Sequence, residues 1–222
     1  MADLKKWLEI DTYITNQLLP EDPILEKTLE VNIKAGLPAI EVAPNQAKFL
    51  YLLALIQGAK RILEIGTLGG YSTIWLARAL PADGHLITLE SEVHHAEVAK
   101  LNIARAGLSN LVEVRIGPAL ETLPKLHSEG VCPFDLIFID ADKQNNSEYL
   151  KWALKLSRKG TVIIADNVVR KGEVVNVSST DSSVQGVRHF FNILASEPRL
   201  SSTAIQTVGS KGHDGFTISV VL

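Results

Sequence analysis

"RILEIGTLGGYSTIWLARAL", residues 61–80, begins as a β-strand over Arg61–Ile65, breaks at glycine and resumes from Tyr71 as a helix. A glycine turn at such a junction lets a ligand approach the backbone closely. It also opens a series. Short β-branched or apolar runs at 61–65, 85–90, 111–116, 134–140 and 161–165 alternate with helix-length segments at about 71–80, 92–106, 118–128 and 145–158. That alternation is the sequence form of an α/β fold, a doubly wound and mostly parallel sheet with helices on both faces. Two last runs, "STAIQTV" (202–208) and "GFTISVVL" (215–222), are joined by "GSKGHD" and predict a terminal antiparallel pair.

Upstream of the turn, Leu4, Trp7, Leu8, Tyr13, Ile14 and Leu18 fall near helical spacing. Pro20 and Pro23 bracket the start of a second helix ending about Gly36, and a third runs from Pro44 to Gly58. The first stripe either packs on the domain or covers a partner subunit, and a homodimer is expected. The run "SSTDSS" (178–183) reads as a mobile loop. At 222 residues the chain fits one domain, with an N-terminal helical segment over 1–40 and a core over 41–222.

Composition narrows the function classes. With 46% apolar and 21% charged residues and a net charge of −3, the chain has no general attraction for nucleic acid. Cys132 is alone and forms no intrachain disulfide; it reads as a small buried hydrophobe. The first residues hold no continuous apolar stretch of the secretory kind. "FLYLLALI" (49–56) is far short of the roughly 20 residues a membrane span needs, so a soluble, cytoplasmic protein without a membrane partner is expected.

The glycine turn itself limits the ligand. A dinucleotide fingerprint places glycine at the second position of G-x-G-x-x-G, where Leu68 stands here. No Walker sequence occurs either. A nucleoside ligand without a pyrophosphate fits better, and S-adenosylmethionine is the common one. Glu90, at the end of the second strand, can accept both ribose hydroxyls, a position that also serves NAD. Glu64 lies among Ile62, Leu63 and Ile65 and must be paired or sit at the open strand end. It either organises the methionine end of a cofactor through neighbouring amides or is bonded to nearby backbone N–H groups.

"FDLIFIDADK" (134–143) drives an apolar strand into Asp140, Asp142 and Lys143, and "VIIADN" (162–167) does the same into Asp166 and Asn167. Parallel strands bring such ends together, which is costly unless a cation lies between the carboxylates or one takes up a proton. Asp140, Asp166 and the Asn167 amide oxygen make three hard ligands suited to Mg²⁺, with Ca²⁺ or Mn²⁺ as alternatives. The competing account is that these residues cap the following helices. No H-x-x-x-H or G-x-S-x-G spacing offers a rival centre.

"EIGTLGGYS" (64–72), "FIDADK" (138–143) and "ADNVV" (165–169) with Gly172, in this order, resemble the cation-dependent O-methyltransferases, the group of the caffeoyl-coenzyme A and catechol enzymes. "LPAIEVAPNQAKFL" (37–50) and "HDGFTI" (213–218) extend the likeness from about residue 38 to the end. The resemblance implies that Asp140, Asp166 and Asn167 bind the metal and that Lys143, beside Asp140, is the base on the acceptor hydroxyl. It further implies S-adenosylmethionine contacts from the Val42 backbone and from Glu64, Gly66, Ser72, Glu90, Ala119, Asp140 and Tyr149. The implied acceptor is a small aromatic vicinal diol of caffeoyl, flavonoid or similar type. Where plant members often carry Trp, Arg170 stands here; this leaves the aromatic wall unassigned and suits an acidic acceptor. Metal-free methyl transfer to an amine or RNA, a nicotinamide oxidoreductase and a non-catalytic binding module are the other readings.

Overall fold

β1 (Arg61–Ile65) is the hub of the sheet: it pairs in parallel with β2 (His85–Glu90) on one side and with β4 (Phe134–Ile139) on the other. The computed structural model describes residues 2–222. β3 (Val112–Ile116) extends the sheet beyond β2, and β5 (Ser157–Asp166) beyond β4. β7 (Gly212–Val221) then pairs antiparallel with both β5 and β6 (Leu200–Gly209), giving the order β3-β2-β1-β4-β5-β7-β6. The chain leaves β1 toward β2 and later returns to β4, so the strand order reverses between β1 and β4. In an open α/β sheet that reversal opens a crevice at the carboxyl ends of the strands.

Alternation along each strand builds a core on both faces, because successive side chains point to opposite sides. Leu63, Ile87, Ile137 and Ile163 join one buried cluster, whereas their neighbours Ile62, Leu86, Leu136 and Val162 join the other. Leu123 of α6 (Ala119–Ser128), Leu150 of α7 (Asn146–Lys155) and Phe190 of α8 (Ser182–Ser196) cover the first face. Leu50 of α3 (Pro44–Gln57), Ile74 of α4 (Tyr71–Arg78) and Ile103 of α5 (Val93–Arg105) cover the second. α3 begins at Pro44 and ends on Gly58 in the left-handed conformation, as its sequence predicts.

The structure departs from expectation at several places: β5 begins at Ser157 rather than 161, in a segment expected to end the preceding helix, which stops at Lys155. Ser182 and Ser183, read as loop, begin α8, whose first turn is capped by the Asp181 carboxylate accepting from the Ser183 N–H. The helix buries Val184, Val187, Phe190 and Leu194 in spite of Gly186 near its start; a Cβ there would stand 2.4 Å from the Lys143 carbonyl oxygen. β7 begins at Gly212, so most of "GSKGHD" pairs as strand and only Ser210 and Lys211 turn. Cys132 is half-buried against the core rather than enclosed.

α1 (Ala2–Leu18) is anchored inward by a polar residue. Asp11, not an apolar residue, is its one buried side chain among the described residues; Leu4, Leu8, Tyr13 and Leu18 are exposed. The Asp11 carboxylate accepts from Asn45 Nδ2 at 3.0 Å and from the Ser210 N–H at 2.6 Å, tying α1 to α3 and to the β6–β7 turn. Among the described residues no helix is long and apolar enough to cross a membrane.

Candidate active site

Three adjoining cavities open at the carboxyl ends of β1, β2, β4 and β5. The first, about 430 Å³, is lined by Val42, Gly66, Ser72, Asp140, Lys143 and Asn167 among others. The second, about 380 Å³, is lined by Gly66, Glu90, Ala119, Asp142 and Tyr149. The third, about 640 Å³, lies toward β7 and is lined by Val42, Phe49, Asp166, Asn167, Arg170 and Phe216. Gly66 joins the first two, while Val42, Asn167 and Arg170 join the first and third.

Gly66 has φ +100°, and a Cβ on it would stand 2.1 Å from the Asp140 carbonyl oxygen. The glycine is therefore required by the close approach of β1 and β4. The turn then folds back on Glu90, whose Oε2 accepts from the N–H groups of Thr67 at 3.1 Å and Leu68 at 2.7 Å. Leu68, at φ +50°, occupies the left-handed region that favours glycine. Glu90 Oε1 accepts from the Glu92 N–H at 3.0 Å. The carboxylate is thus fixed beside the second cavity by backbone donors, each oxygen retaining acceptor capacity.

Glu64 is fully buried and lines none of these cavities. Its partners are neither a ligand nor backbone amides but three hydroxyls: Ser72 at 2.6 Å, Thr73 at 2.5 Å and Thr88 at 2.7 Å. Sequence placed the carboxylate correctly on β1 and missed the threonines, which β2 and α4 bring to it. Burial dominates its acidity and pushes its pKa up to about 7, against the pull of the three hydroxyls. Ser72 lines the first cavity and connects Glu64 to it.

Lys143, 7% exposed, sits just after β4 and donates from Nζ to Asp140 Oδ1 at 2.8 Å. Asp166 ends β5 and is buried, its Oδ1 accepting the Asn167 N–H at 2.8 Å. Burial and then the facing Asp140 charge push Asp166 up to about 7, and Lys143 opposes that rise. Two strand ends thus deliver two carboxylates to one low-dielectric place with incomplete compensation. Among the described residues no group of three or more His, Cys, Asp or Glu gathers as a metal centre. Two carboxylates and the Asn167 amide are the available oxygen set, and Asn167 holds φ +55° to turn away from the strand.

Tyr149, expected near the cofactor, lines the second cavity and donates to Asp142 Oδ1, while Asn145 Nδ2 donates to Oδ2 at 2.5 Å. Ala119 lines the same cavity at the start of α6. An aromatic surface lies on the third cavity: Phe49 of α3 and Phe216 of β7 pack there with ring centroids 5.3 Å apart. Neither carries a sequence signal beyond apolar periodicity. At the rim, Lys211 Nζ lies 3.5 Å from Glu41 Oε1 and donates to the Ala39 carbonyl at 3.2 Å, joining the β6–β7 turn to the segment before α3.

With this geometry described, similarity to known proteins adds identity. Residues 15–219 match the family model described as O-methyltransferase. A catechol O-methyltransferase from Niastella koreensis is 52% identical over 212 residues, spanning 96% of each chain. An O-methyltransferase from Bacillus cereus, solved in complex with SAH, superposes with a TM-score of 0.98 at 57% identity, covering 99% of this chain and 100% of the other. The O-methyltransferase TomG from Streptomyces achromogenes, involved in tomaymycin synthesis and solved with SAM, gives a TM-score of 0.96 at 48% identity, covering 100% and 99%. Sheet order, strand-end acids and these likenesses over nearly the whole length agree, and the chain belongs to the O-methyltransferase family.

Proposed function

We infer that the chain, acting as a single domain, transfers a methyl group from S-adenosylmethionine to one hydroxyl of a small aromatic vicinal diol. The reading includes a divalent cation, Mg²⁺ by its ligand chemistry, held by Asp140, Asp166 and Asn167. One observation carries it: Asn167 and Val42 belong to the walls of both the Lys143 cavity and the Phe49–Phe216 cavity, so two ligands would meet at the strand-end acids. The catechol activity in the name of the Niastella relative, and the SAH and SAM bound by the two solved relatives, support the choice of acceptor and donor.

The residues fit a cation. The Asp140 charge raises the cost of ionising Asp166, and Lys143 offsets this only in part. Hard oxygen donors in such a field suit Mg²⁺. A phenol with a pKa of about 10 is ionised in roughly one molecule in a thousand at pH 7, and a bound cation would supply the missing ~4 kcal/mol as Lewis-acid stabilisation of the phenolate.

This chain's own residues do the rest. Lys143, held on Asp140, takes or relays the hydroxyl proton. Phe49 and Phe216 provide an apolar wall for the acceptor ring and exclude water. Glu90 is held ready for ribose hydroxyls, and Ala119 and Tyr149 flank the space beside it. Gly66, Ser72 and the Val42 backbone line the space for the methionine end, with Glu64 orienting Ser72 from behind. Charge disappears when a phenolate attacks a sulfonium methyl, which favours a dry site that holds both reactants aligned. The exposed apolar residues Tyr13 and Leu18 on α1, and Leu52 and Ile56 on α3, support a homodimer.

The test is methyl transfer to vicinal diols and their monohydroxy analogues, with EDTA and with added Mg²⁺, paired with thermal unfolding. The diols alone should react, EDTA should abolish turnover, and Mg²⁺ should raise the Tm of the wild type but not of Asp166→Ala. Turnover that survives EDTA, together with a Tm indifferent to Mg²⁺, would remove the metal from the reading.

A further inference from the structure

Arg170 is a cation without an obvious employer. Among the described residues neither it nor Lys171 joins any ion pair. Its Nε is buried and has no hydrogen-bond partner. A buried guanidinium N–H left unpaired is costly, so such a group is normally matched by a carboxylate or phosphate.

The backbone holds this side chain in place by unusual means. Asp214 Oδ1 accepts from the N–H groups of Val169, Arg170 and Gly215, each at 3.0 Å. Arg170 and Lys171 adopt φ +54° and +56°, and Gly172 follows at +90°. Consecutive left-handed non-glycine residues are strained and persist where surrounding contacts dictate them. The result is a guanidinium in the wall shared by the first and third cavities.

The other acids on the third cavity are engaged elsewhere, and Asp166, which also lines it, accepts the Asn167 N–H and belongs to the proposed cation site. Asp11 accepts from Asn45 and Ser210, Glu41 faces Lys211, and Asp214 is occupied by three backbone donors. The third cavity, which Arg170 also lines, offers the Phe49–Phe216 aromatic pair. A ring against these phenyl groups with an anionic substituent directed at Arg170 would satisfy both.

We propose that Arg170 selects acceptors bearing a carboxylate, so that the preferred substrate class is a carboxylated aromatic diol rather than a neutral or cationic one. This rests on the aromatic-diol reading above and deepens it. A planar guanidinium pairs with a carboxylate through two parallel N–H···O bonds, which gives both affinity and orientation. Lys171, exposed at the rim of the same cavity, adds positive potential on the path of entry.

The experiment measures equilibrium binding by calorimetry, with S-adenosylhomocysteine and Mg²⁺ present, of three matched diols: a dihydroxybenzoate or dihydroxycinnamate, its neutral methyl ester and a catecholamine. Turnover of each is followed in parallel. Wild type should bind the acid about 10- to 100-fold more tightly than the ester, the range of a charge-assisted hydrogen-bonded pair. Arg170→Met should collapse that ratio toward one, Arg170→Lys should restore part of it, and Arg170→Glu should invert the order in favour of the amine.

Equal binding of acid and ester by wild type would overturn the proposal. So would an unchanged ratio in Arg170→Met, or a loss in that variant confined to S-adenosylhomocysteine affinity, which would assign the guanidinium to the donor. Arg170-dependent preference for the acid without methylation of any diol would uphold the proposal and defeat the methyl-transfer reading instead.

Discussion

The carbonyl oxygen of Asp140 stands 2.1 Å from the point that a Cβ on Gly66 would occupy. The two strand ends are locked together by the Asp140 N–H donating to the Ile65 carbonyl at 2.8 Å. A methyl group at residue 66 therefore requires β1 and β4 to separate where the site is built, and it also sits at φ +100°. Gly66→Ala should lower stability by about 2–5 kcal/mol, the sum expected from overpacking and an unsuitable backbone angle. Urea unfolding checks this; a midpoint equal to that of the wild type would show that the strand ends yield freely.

In the proposed reaction Lys143 Nζ, held by Asp140 at 2.8 Å, handles the proton. Lys143→Met should reduce kcat by about 10²–10⁴-fold, the usual worth of a positioned acid–base group. Lys143→Arg should not restore the rate, since guanidinium does not release a proton near neutral pH. Steady-state kinetics on a catechol-type diol provides the measurement. A loss smaller than tenfold in both variants would leave another group as the base.

Glu64 should make the unliganded chain less stable as pH rises. Its pKa is raised from 4.5 to about 7 in the folded chain. The native state therefore prefers the protonated form, and this contribution, complete below the unfolded value, is lost as pH climbs through about 7. Glu64→Gln lacks that dependence. Relative to wild type, the variant should gain roughly 2–3 kcal/mol between pH 5 and pH 8, because ionisation of the folded carboxyl is delayed from 4.5 to about 7. Denaturant unfolding at both pH values tests the sign, and a constant difference between the two proteins would contradict it.

Much of this was legible in the chain, for physical reasons. β1 and β2 span 61–65 and 85–90 as expected, because a strand buried on both faces writes itself as a largely continuous hydrophobic stretch. Asp140, Asp166 and Asn167 were readable as strand ends for the same reason, the run stopping abruptly at a charge. α8 was not, since Gly186 and the preceding serines mask a helix whose signal is Asp181 followed by Val184, Val187, Phe190 and Leu194. Phe49, Phe216 and the Asp11–Ser210 contact were beyond reach because each joins segments far apart in sequence. The hydroxyl cage of Glu64 failed for a related reason: Thr88 belongs to the neighbouring strand, and parallel register is not written locally.

The common wall of the first and third cavities has an implication for anyone redesigning the protein. Asn167 and Arg170 face both spaces from two left-handed positions on one short segment, so changes there made to admit a new acceptor would disturb the space proposed for the donor as well. Phe49 and Thr207 line only the larger space among these cavities and come from separate elements. Libraries aimed at altered substrate scope are best begun at those two positions, which line the space proposed for the acceptor and not the one proposed for the donor.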